Sequence, residues 1–72
     1  MDEDRVLEVS EQLREICSYY ENEEALQALL HACAATIVSR SSALEGATET
    51  VARATKTLPK LVQHYWRLKR PH

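Results

Sequence analysis

From Ala25 to Val38 the chain reads Ala-Leu-Gln-Ala-Leu-Leu-His-Ala-Cys-Ala-Ala-Thr-Ile-Val, an apolar run interrupted only by Gln27, His31 and Thr36. Leu26, Leu29, Leu30, Cys33 and Ile37 fall on one face at helical spacing, and Ala25, Ala28, Ala32 and Ala35 form a second face of small side chains. A helix with two apolar faces needs two covers. It belongs at the centre of its own fold or at a contact between subunits. The run is too short to span a bilayer, which takes about 20 residues.

A chain of 72 residues with one glycine, two prolines and no phenylalanine favours regular helix over sheet or disorder. A domain of this size hides only about 60% of the surface its unfolded chain exposes, and domains below roughly 80 residues usually need a disulfide, a metal, a second copy or very regular helix packing. The expected fold is therefore all-α, an antiparallel three-helix bundle over residues 1–72, with helices at about 3–20, 23–40 and 43–68. Three helices of this size cover the middle one only in part. A homodimer is expected, with Leu26, Leu29, Leu30, Cys33 and Ile37 and parts of the third helix packed across a twofold axis.

The first helix carries Val6, Val9, Leu13, Ile16, Cys17 and Tyr20 three and four apart, with Asp2 or Asp4 as its cap and Glu3 and Glu8 near its positive end. Leu7 and Tyr19 fall off that stripe. Glu21-Asn22-Glu23-Glu24 makes a tight connection, Asn22 being a good N-cap for the second helix. Arg40 suits that helix's negative end, and Ser42-Ala-Leu-Glu45 fits a capping box opening the third. Gly46 in the first turn of that helix weakens it by about 1 kcal/mol relative to alanine.

The third helix has the clearest period. Leu44, Val51, Leu58 and Tyr65 recur every seven residues, and Ala47, Ala54, Leu61 and Leu68 follow each by three, with small residues early and large ones late. That is a heptad seam, suited to a compact bundle as well as to a coiled coil. Pro59 predicts a kink or break between Thr55 and Leu58.

Charge is uneven. Residues 1–24 hold nine acidic side chains against Arg5 and Arg14, whereas residues 25–72 hold seven basic ones against Glu45 and Glu49. Acidic first turns and a basic tail lying against an acidic helix account for this structurally. The acidic N-terminus is unlike a signal peptide, and a cytoplasmic protein follows as the default.

Sites for chemistry are scarce. His31 and Cys33, two apart on a helix, diverge by about 200°, whereas chelation needs a spacing of three or four. No Cys-x-x-Cys or His-x-x-x-His pair supports zinc. Cys17 and Cys33 read as free, buried thiols, since their offset in a hairpin, on the order of 10 Å, forbids a bridge. A Cys33 dyad with His31 or His64 lacks an oxyanion-hole loop, and one glycine excludes phosphate-binding loops. No catalytic residue, metal, cofactor or small-molecule substrate is expected.

The C-terminal stretch joins Tyr65 and Trp66 to Arg67, Lys69 and Arg70. Three accounts compete for it. Its apolar residues close the end of the bundle while its cations stay hydrated. Alternatively Trp66 and Arg67 anchor another protein, or the cations meet nucleic-acid phosphates while an aromatic ring stacks. A sequence pI near 5.9 counts against nucleic acid, and the short basic face counts against a membrane surface. The expected function is a non-enzymatic interaction module, an adaptor or regulator, with a nucleic-acid-associated regulator as the alternative.

Overall fold

The computed structural model describes residues 2–69 and is helical throughout, with α1 at Glu3–Cys17, α2 at Asn22–Arg40 and α3 at Leu44–Lys69. Among the described residues there is no strand. The chain divides into two compact units that meet at Ala34 and Ala35, inside α2.

In the first unit, Asp2 caps α1 as its sequence suggests. Its carboxylate accepts the Arg5 amide at 3.2 Å, and its carbonyl accepts the Val6 amide at 3.1 Å. Glu3 and Asp4 occupy the first turn and Arg14 the last, each sign matched to the nearer end of the helix dipole. The helix stops at Cys17, three residues short of the expected Tyr20. There the backbone turns to bonds that span three residues, Tyr19 N to Ile16 O at 3.3 Å and Tyr20 N to Cys17 O at 3.1 Å, as helix ends commonly do. The Ser18 hydroxyl donates to the Glu15 carbonyl at 2.6 Å and so competes with continued helix.

α2 then starts one residue earlier than the cap assignment to Asn22 implies. The Ala25 amide bonds the Glu21 carbonyl at 2.9 Å, so Glu21 holds the cap position and Asn22 is already helical. Ser10, Cys17 and Ala25 are half-buried in this unit. Val6, Val9, Leu13 and Ile16 stay exposed along the stripe, as do Leu7 and Tyr19 away from it.

In the second unit, α2 ends at Arg40 and the Ser41 hydroxyl closes the last turn onto the Ile37 carbonyl at 2.7 Å. The Ala47 amide bonds the Ala43 carbonyl at 3.2 Å, so Ala43 occupies the cap position of α3. The expected box, with Ser42 as cap, is displaced by one residue. Ala47 is the one buried residue among those described, with Ile37, Ser41 and Thr50 half-buried. α3 runs unbroken for 26 residues with Pro59 inside it, so the break expected before Leu58 does not occur. Proline there removes one amide donor, that of position 59, and the flanking turns keep the helix continuous.

The leucines of the middle helix are open to solvent. Leu29 is 40% exposed, Leu26 52% and Leu30 51%. Cys33, expected to be buried, is exposed, and Cys17 is half-buried. Both thiols are free.

Candidate interaction surfaces

Two groups of residues stand out as candidate surfaces, and the helices place them differently. On α2, successive side chains advance by about 100°, which sets Leu29, Cys33, Leu26 and Leu30 of the first unit within an arc of about 100°. The first-unit members, Leu26, Leu29, Leu30 and Cys33, are all exposed, whereas Ile37 in the second unit is half-buried. Leucine is the residue type whose full burial contributes about 1.5–3 kcal/mol. Three half-open leucines on one turn and a half therefore leave a large apolar free energy unrealised in the single chain.

At the end of α3 Lys69 lies with the aromatic residues and Arg67 lies apart from them. Tyr65 meets His64 edge to face, with ring centroids 5.3 Å apart at 74°, and lies on the heptad seam. Trp66, about 100° further round, carries the Lys69 ammonium 5.5 Å from its ring centroid. That geometry suits a cation held by the ring's negative face. Arg67 lies about 200° from Tyr65, on the side of the helix that also holds Arg53, Lys56 and Lys60. Arg70 lies outside the described residues. Lys69, four residues on from Tyr65, lies only about 40° from it, so Tyr65, Trp66 and Lys69 share one face, while Arg67 extends a basic ridge on the other side.

Two further surface features lie outside the expected site residues. The first is that basic ridge. Arg53, Lys56, Lys60 and Arg67 fall within an arc of about 60°, and their spacings of three, four and seven were the available signal. The second is an open groove on α1, about 480 Å³ in volume and bordered by Asp2, Arg5, Val6, Val9, Ser10 and Leu13. The three-and-four spacing of Val6, Val9 and Leu13 announces an apolar stripe, which reads from sequence as core.

Among the described residues, no three histidine, cysteine or acidic side chains gather where a metal ion would sit. No helix among them is long and apolar enough to cross a membrane. Comparison with known protein families, with curated proteins and with solved structures finds no match for the chain.

Proposed function

We propose that the chain is a non-enzymatic interaction module, an adaptor or small regulator of the cytoplasm, that works as a homodimer. Its three helices close as an antiparallel bundle, kinked near Pro59, which a second copy completes. The observation that supports this reading is the exposed leucine face of α2, with Leu26, Leu29 and Leu30 each at least 40% open to solvent. A monomeric soluble protein rarely keeps a continuous apolar face of that kind, and such faces mark interaction sites. In the assembly, Leu26, Leu29, Leu30, Cys33 and Ile37, with part of α3, pack across the twofold axis. The Trp66 and Lys69 pair, together with Tyr65 and Arg67, is left to engage another protein, in keeping with the enrichment of aromatic residues and arginine in binding hot spots.

Affinity capture with the tagged chain, combined with masses of the free protein and of its complexes, tests both parts. A dimer mass and a protein partner lost on Trp66→Ala are the expected results. A monomer with unchanged helicity and melting across the concentration range refutes the self-association.

The basic ridge of Arg53, Lys56, Lys60 and Arg67 favours a second reading, a nucleic-acid-associated regulator. Phosphate contacts make such binding fall steeply with salt. The second reading requires salt-dependent binding to DNA or RNA that weakens when Arg67, Lys69 and Arg70 are replaced by alanine and is lost when Arg53, Lys56 and Lys60 are replaced as well. No binding at low salt removes it.

A further inference from the structure

α3 carries its cations in a row that only an unbroken helix makes. Arg53, Lys56, Lys60 and Arg67 are all exposed, and together they span about 21 Å of helix at 1.5 Å per residue. A break before Leu58 would divide them into two pairs aimed in unrelated directions. With Pro59 inside a continuous α3, the four stay on one side.

Little on α3 neutralises this row. From Thr50 to Lys69 the helix has no acidic residue, so Lys56, Lys60 and Arg67 have none three or four positions away, where helical ion pairs form. Arg53 has Glu49 four back, yet its guanidinium donates to the Thr50 hydroxyl at 3.4 Å. Lys56 and Lys60 are themselves four apart, a spacing at which like charges destabilise a helix. α1 is composed otherwise: Arg5 has Glu8 three on, and Arg14 has Glu11 three back. Alternating signs of that kind are usual on a solvated helix face. A row of one sign, with its repulsion unrelieved, is instead the footprint of a polyanion.

What the row lacks narrows the polyanion. Proteins that hold single strands add rings on which bases stack. Here Trp66 lies about 100° round the helix from Arg67, with the Lys69 ammonium 5.5 Å from its ring centre. His64, at the edge of the row, sets its ring against Tyr65 with 5.3 Å between centroids. The two lysines meet phosphate as point charges, and Arg53 is turned toward Thr50. The row is suited to phosphates, which position a protein on nucleic acid, and not to base edges, which specify sequence.

We propose that Arg53, Lys56, Lys60 and Arg67 lie along the phosphate backbone of double-helical nucleic acid and bind it without regard to sequence. A row of about 21 Å matches roughly six base pairs at 3.4 Å each. This inference rests on the nucleic-acid reading given above, names the face that makes the contact, and takes Trp66 and Lys69 out of it.

The test titrates the full chain, under reductant, into fluorescein-labelled duplexes of two unrelated sequences, a labelled single strand and labelled poly-glutamate. Anisotropy is read over a range of salt, and the emission of Trp66, the one tryptophan, is followed in parallel. The two duplexes are expected to bind alike and more tightly than the other probes, with Trp66 emission unchanged. The logarithm of the binding constant should fall with that of salt at a slope near −3.6, about −0.9 for each of four phosphates. Lys56→Gln with Lys60→Gln, at unchanged helicity in circular dichroism, should flatten that slope by about two, whereas Lys69→Gln leaves it as it was. Duplex binding that quenches Trp66, prefers one sequence, is weaker than binding to the single strand, or keeps its slope in the double variant overturns the row and leaves the nucleic-acid reading standing. Tighter binding of poly-glutamate assigns the row to an acidic protein and overturns the proposal. No binding to any probe at low salt overturns both.

Discussion

The Lys69 ammonium lies 5.5 Å from the centre of the Trp66 ring, three residues back on the same helix, where side chains of α3 stack on one face. An exposed cation over an indole contributes about 0.5–1 kcal/mol, enough to hold both side chains in place without holding the fold. The methylene protons of Lys69 are therefore expected to show an upfield ring-current shift in proton NMR, lost on Trp66→Leu while helicity is kept. Lys60, with no such ring contact, serves as the reference, and identical shifts for the two lysines would sink the pairing.

Gly46 offers a clean stabilising substitution. It sits in the first turn of α3, its backbone is not in the left-handed region, and a Cβ added there meets nothing within 4 Å. Gly46→Ala is expected to raise stability by about 0.8–1 kcal/mol through helix propensity alone, read as a higher urea midpoint at unchanged slope. A loss of stability would mean that something approaches this turn more closely than the single chain reveals.

Asp2 holds the N-terminal end of α1 through the Arg5 amide. Asp2→Ala is expected to cost about 1 kcal/mol and Asp2→Asn much less, since asparagine caps nearly as well. Urea unfolding followed by circular dichroism separates the two. Equal losses would assign the effect to charge rather than to the cap.

If the exposed leucines of α2 are covered by a second copy, stability depends on protein concentration. A tenfold increase is then worth about 1.4 kcal/mol per mole of dimer, and the melting temperature rises by several degrees. Leu29→Asp places a charge in that face and is expected to abolish the concentration dependence, giving a monomer or a destabilised chain in sedimentation. A melting temperature that stays fixed over a hundredfold range rules this out.

Much of the helical layout was legible because it depends on local spacing. The Val6, Val9 and Leu13 stripe, the Asp2 cap and the seven-residue seam of α3 each follow from side-chain period or backbone chemistry. Helix ends were less legible: α1 stops three residues early, where the Ser18 hydroxyl takes the Glu15 carbonyl, and the start of α2 and both ends of α3 shift by one residue. Pro59 was misleading as a break: a missing amide weakens a helix but does not end one that the turns on either side sustain. Burial was the least legible. Cys33 reads as a core thiol from its apolar neighbours, yet what covers a residue depends on elements far away in sequence or in another molecule. The separation of Arg67 from Tyr65 was recoverable in principle, since residues two apart on a helix point in nearly opposite directions.

Cys33 stands open on the same face as the half-exposed leucines of α2, and that has a practical side. Oxidation in air joins two such thiols covalently and yields a species of twice the mass whether or not the chains recognise one another. Any count of subunits for this protein is meaningful only with a reductant present or with that sulfur removed, so the accessible cysteine decides how the others must be judged.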